Sequence, residues 1–174
     1  MSQANAANQM VSRVEGNDLI LERVFDAPRE LVFQAFSKEE HLKHWWGPRG
    51  WILSVCRVDF RPGGTWHYCM KCMDENQGDF YGMESWGIAT YHEIDEPNRI
   101  VYSDSFSDAD GNIVEGMPTS ITTMELLDEN GQTKLVSRTR YNTPEELKAV
   151  MDMGMLQGIT ETWDRLAEHL AASK

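Results

Sequence analysis

Cations, cysteines and long apolar runs are all scarce in this sequence, and each scarcity removes a class of function. Its 16 lysines and arginines stand against 28 aspartates and glutamates, a formal charge of −12 over 174 residues. A field of that sign repels phosphate backbones and anionic lipid surfaces, so neither nucleic acid nor a membrane is expected as a partner. The three cysteines, Cys56, Cys69 and Cys72, are odd in number and too few for a disulfide framework. They suit a reducing compartment, and the cytoplasm is the expected location. No apolar run approaches the roughly 20 residues that cross a bilayer. Residues 1–17 lack the basic start and apolar stretch of a secretory signal and read as a polar, mobile leader.

What is present belongs to a globular protein. An apolar fraction of 41% with 10% aromatics is enough to build a core, and 174 residues suit one domain, taken here as 18–174. Asp18–Phe25 mixes branched and aromatic residues with charges in the manner of a strand with one wetter face. Pro28 then opens a first helix carrying Leu31, Val32, Ala35 and Phe36 at helical spacing, and the capping-box pattern from Ser37 to Glu40 starts a second, which ends near His44. From Trp51 the chain reads as six strands, with turn chemistry at 61–64, 74–78, 95–98, 108–112 and 129–131. The last of these holds Asn130-Gly131, a strong hairpin signal because both residues accept positive φ. Thr143-Pro144-Glu145-Glu146 supplies an N-cap, a proline at the first helical position and acids in the first turn. One long helix to about Ala171 is expected to follow. Its apolar band of Leu147, Val150, Met151, Met155, Ile159, Trp163, Leu166 and Leu170 needs the sheet as cover, with Glu161, Asp164, Arg165 and Glu168 largely opposite.

The space between helix and sheet is the expected site. Strand alternation puts Trp66, Tyr68 and Met70 on one face, with His67, Cys69 and Lys71 on the other. The first set, with Ile100, Tyr102 and Phe106 from a later strand and Met151, Met155, Gly158 and Thr162 from the helix, is the expected wall of an adaptable apolar pocket. Gly154 and Gly158 each cost about 1 kcal/mol against alanine inside a helix, so either a ligand or the sheet approaches closely there, or the helix bends.

No metal site or cofactor is expected. An extended strand sends Cys69 and Cys72 to opposite faces, and His41 and His44 together make half a site at most. No Gly-x-Ser-x-Gly elbow is present, and no catalytic residue is assigned. His92, Asp104 and Glu125 lie on strands whose faces the turns leave open, so inward-pointing acid–base groups stay an alternative. Trp45, Trp46 and Trp51 plug one end of the sheet or face a partner, and Asp59 with Arg61 braces the Pro-Gly-Gly turn.

Three ordered segments carry a resemblance: LERVFDAPRELVFQAFSKEEHLKHWWGP at 21–48, DFRPGGTW at 59–66, and Gly158 ahead of Trp163-Asp-Arg-Leu-Ala. Together they resemble the activators of the heat-shock-protein-90 ATPase, within the START-like, pollen-allergen-like (SRPBCC) superfamily. The resemblance runs over nearly the whole chain from about residue 18. It implies an α+β helix-grip fold, with a curved antiparallel sheet of about seven strands, two short helices after the first strand and a long C-terminal helix across the sheet. It also implies a non-catalytic binding protein for a small apolar or amphipathic ligand. Two alternatives travel with it. One is a chaperone-associated module that acts on an ATPase through an exposed apolar patch. The other is a polyketide cyclase-like or hydrolase-like enzyme, which requires at least two polar groups to converge in the pocket. A homodimer is compatible with each.

Overall fold

In the computed structural model, residues 10–173 are described. Alternating segments from residue 11 onward pair into one antiparallel sheet. Its strands are β1 (Val11–Glu15), β2 (Asp18–Phe25), β3 (Trp51–Val58), β4 (Thr65–Cys72), β5 (Glu84–Asp95), β6 (Arg99–Phe106), β7 (Thr119–Glu129) and β8 (Gln132–Tyr141). Across the sheet the order is β1-β2-β8-β7-β6-β5-β4-β3, so every neighbour except the β2–β8 pair is a hairpin or near-hairpin connection. The Asn130-Gly131 turn has positive φ at both residues and sets the β7–β8 register from Glu129↔Gln132 onward. Register shifts at Leu53/Val55 in β3 and Tyr91/Glu93 in β5 mark bulges, which bend the bulged strand and add curvature to the sheet.

The sheet has eight strands where seven are expected. The extra one, β1, comes from the stretch read as a leader; residues 1–9 of that stretch lie outside the described residues. Every β1 side chain is exposed, so no burial pattern announces the strand, and it is held by pairing with β2 through the Gly16-Asn17 turn. Asp18, buried at the start of β2, accepts hydrogen bonds from Arg138 at 2.5 Å and Arg140 at 2.8 Å and so ties β2 to β8.

Two helices follow β2: α1 (Arg29–Ser37), with Pro28 as its N-cap, and α2 (Glu39–Trp45). The capping box expected at Ser37 does not form. Its hydroxyl reaches back to the Gln34 carbonyl at the end of α1, and Lys38 caps α2 without a side-chain bond. At the other end, Thr143 Oγ1 accepts from the Glu146 N–H at 3.1 Å and opens α3 (Pro144–Asp152).

The single long helix is a second correction. The chain breaks after α3 and restarts as α4 (Met155–Ala172), because Gly154 adopts a left-handed conformation at φ +89°. That conformation is cheap for glycine and costly for residues bearing a Cβ. Trp163, Leu166 and Leu170 of α4 are buried, with Trp163 5.9 Å from Phe25 of β2 between ring centroids. Met151, Met155 and Ile159 are half-buried at the edge of the same core. Arg23, buried under α4, pairs with Asp164 at 2.6 Å. Leu166 has no exposed surface, so Leu166→Ala leaves a cavity where α4 grips the sheet. It is expected to cost about 3 kcal/mol, read as a lower urea midpoint at unchanged slope.

Candidate functional site

The concave face of the sheet carries a row of polar side chains in register. Asp104 of β6 lies opposite Ser120 of β7, and Ser120 lies opposite Tyr141 of β8. On the far side of β5, Tyr68 of β4 lies opposite Gly87. That glycine decides the geometry. A Cβ at position 87 would stand 2.5 Å from Cζ and Oη of Tyr68, so only a bare backbone lets the ring lean across β5. The Tyr68 hydroxyl then donates to both oxygens of Asp104, at 3.1 and 3.2 Å. Asp104 also accepts from the Ser105 N–H, and burial pushes its carboxyl up to about 7. Burial, followed by the nearby Asp104 charge, raises Tyr68 well above the usual phenol range and lifts Tyr141 to about 12.

This polar row forms one wall of a cavity of about 470 Å³ between the sheet and α4. Met70, Phe106, Met155 and Ile159 supply much of its apolar lining. Its exposed lining residues, Met83, Met153 and Gly154, mark the opening beside the α3–α4 break. The loop at 46–51 closes another side with Trp46, Gly47, Pro48 and Trp51. Arg165 fixes that loop from behind, in place of the solvent-facing role read from the helical pattern. Its Nη1 donates to the carbonyls of Gly47 at 2.7 Å, Trp51 at 3.1 Å and Pro48 at 3.3 Å, and its Nη2 to that of His44 at 3.2 Å. A planar guanidinium can serve four carbonyls at once, which a lysine ammonium cannot.

Of the ten residues expected to line the pocket, Tyr68, Met70, Phe106, Met155, Gly158 and Thr162 do so. The other four sit elsewhere. Trp66 is buried behind the wall, 4.5 Å from the Tyr68 ring and 4.7 Å from that of Trp46. Ile100 is buried in the core, while Tyr102 and Met151 pack half-buried against it. Among the three strand residues whose faces were open, His92 and Glu125 are exposed and Asp104 lines the cavity. The alternation that selects Tyr102 and Phe106 also carries Asp104 onto their face, and that signal was sufficient to find it. Gly87, Ser120 and Tyr141 were missed, because each owes its place to cross-strand register.

The remaining candidates are structural in their contacts. Cys69 and Cys72 are both buried with free thiols. His41 Nδ1 lies 2.8 Å from Nε2 of His169, and His44 stacks on the same ring at 5.4 Å. Among the described residues no group of three or more His, Cys, Asp or Glu side chains is placed to hold a metal ion. Among the same residues no helix is long and apolar enough to cross a membrane. Asp59 and Arg61 form a local ion pair at 2.9 Å.

One antiparallel sheet curved around a C-terminal helix, with a cavity between them, is the helix-grip arrangement of START-like proteins. Within that class, the chain belongs to the family of activator of Hsp90 ATPase homolog 1-like proteins, whose model matches residues 26–171. Solved structures agree. A Mycobacterium smegmatis protein is 25% identical and superimposes with a TM-score of 0.81, over 94% of this chain and 96% of its own. A Staphylococcus epidermidis protein is 27% identical with a TM-score of 0.80, over 95% and 96%. An AHSA1 protein from Silicibacter pomeroyi, at 23% identity, shares the fold with a TM-score of 0.70, over 90% and 99%. Among curated proteins there is no sequence match.

Asp104 has a direct consequence for stability. Its folded-state value of about 7 lies above the ordinary 3.8, so the folded protein holds the proton more tightly than the unfolded chain. Its contribution is therefore fully present below about pH 4, declines as pH rises, and is lost once pH passes 7. Asp104→Asn should match the native protein near pH 3.5, below the ordinary carboxyl range, and exceed it at pH 8. The full shift corresponds to about 4 kcal/mol, and contact with water in the cavity reduces the expected gain to about 2 kcal/mol. Urea midpoints at the two pH values measure it.

Proposed function

We propose that the protein binds a small apolar or amphipathic molecule between α4 and the sheet. The observation that carries this reading is the cavity itself. Its volume falls within the range of ligand sites, its walls are mostly apolar, and its one carboxyl lies on the sheet side with Ser120, Tyr68 and Tyr141. Such a division suits a ligand with an apolar body and one hydrogen-bonding end. The Tyr68–Asp104 pair orients that end, and Met70 and Met155 adapt to the body.

Native mass spectrometry before and after organic extraction tests whether a stoichiometric passenger is carried. Gly158→Leu provides the matched control. Gly158 is helical, and a Cβ there would meet nothing closer than Pro48 Cγ at 4.0 Å, so a larger side chain enters the cavity and not the core. Replacing an interior helical glycine also favours the helix by about 0.5–1 kcal/mol. The expected result is at least a tenfold loss of ligand with stability unchanged or slightly raised. Full occupancy in the variant would place the ligand elsewhere.

Convergence of the Tyr68 hydroxyl and the Asp104 carboxyl favours a second reading, an enzyme acting in the same cavity. It predicts that a passenger extracted from Asp104→Asn is converted when added to the native protein and left intact by the variant, with mass spectrometry following both. The ATPase-activator reading rests on the family's name and on the exposed apolar side chains Met73, Phe80, Tyr81 and Met83. A flat titration against a chaperone ATPase removes it.

A further inference from the structure

The charge inside the cavity constrains the ligand further, on the premise that the cavity binds one. Asp104 is the single charged residue among all that line it; the others are apolar, aromatic, hydroxyl-bearing or glycine. No lysine or arginine among the described residues pairs with Asp104. Its contacts are the Tyr68 hydroxyl and the Ser105 N–H, which leave acceptor capacity on a carboxylate with about four lone-pair sites. Arg165 is not among the lining residues; it is held by the carbonyls of His44, Gly47, Pro48 and Trp51 and makes no contact with Asp104. The lining also includes the aromatic side chains of Trp46, Trp51, Tyr68 and Tyr141. Aromatic faces around a carboxylate attract an ammonium group and give nothing comparable to an anion. A carboxylate or phosphate head would have to sit beside Asp104 with no cation to offset the repulsion.

We infer that the cavity takes a cationic amphiphile, an apolar body ending in a protonated amine that seats against Asp104 within the aromatic walls. The formal charge of −12 raises the local concentration of such a ligand and speeds its encounter. Seating a cation also stabilises the ionised carboxyl. Near pH 7, where Asp104 is otherwise partly protonated, binding therefore releases a proton.

Titration calorimetry with decylamine, decanol and decanoate at pH 8, each below its micelle concentration, isolates the head group while holding the apolar body constant. The amine is expected to bind about tenfold tighter than the alcohol, a difference of about 1.4 kcal/mol, and decanoate weakest. Asp104→Asn should bring the amine-to-alcohol affinity ratio down to about one, whatever its effect on the alcohol alone. At pH 7 the heat of amine binding to the native protein should depend on the buffer's ionisation enthalpy, and that dependence should vanish in the variant. Equal or tighter binding of decanoate overturns the inference. So does an amine preference that survives in Asp104→Asn, since it would then arise from the overall charge. If none of the three binds, the ligand-binding reading itself fails, and this inference with it.

Discussion

The grip of α4 on the sheet is the contact on which the site depends, and it is uneven along the helix. Trp163, Leu166 and Leu170 pack down tightly, with Phe25 against Trp163 and Arg23 pinned beneath Asp164. One and two turns earlier the helix carries Ile159, Gly158 and Met155, and there the sheet and helix stand apart around the cavity. The cavity thus opens where Gly158 leaves the helix face bare, with a tight end that supports an open one. Arg165 extends the same logic sideways. From the anchored part of α4 it holds the 46–51 loop by its carbonyls, so that Trp46 and Trp51 form a fixed wall.

Much of this was legible in the residues. Asn130-Gly131 marked its hairpin, and Thr143-Pro144 marked its helix start, because both rest on backbone conformations that few other residue pairs supply. The faces of β4 and β6 followed from simple alternation. What escaped depended on partners distant in sequence. β1 has no buried face to announce it. Gly154 looks like an interior helical glycine until its φ is known, and Ser37 fits a capping box that the end of α1 pre-empts. Gly87 matters only because the Tyr68 ring crosses it from the neighbouring strand, which no local pattern can express.

Asp104 shows a conflict between fold and site. Ionising it in a largely desolvated position weakens the native state at neutral pH, and Tyr68 relieves that cost only in part. An asparagine would fill the same space without that cost. The geometry instead keeps a carboxylate facing a cavity that contains no other charge, so the penalty is offset only when something enters to meet it.

The order of the sheet puts β1 at one margin and β3 at the other, with the Val58 N–H at the end of β3 donating to Glu39. Unpaired backbone groups along such edges invite further strands from neighbouring molecules. Here the two margins discourage that growth in different ways. β1 is five residues long and sets Arg13 and Glu15 in ion pairs along its length, so an incoming strand must displace charges. β3 is bulged between Leu53 and Val55, which breaks the even spacing a new strand would need. The sheet can therefore stay curved and open around its helix without becoming a template for aggregation.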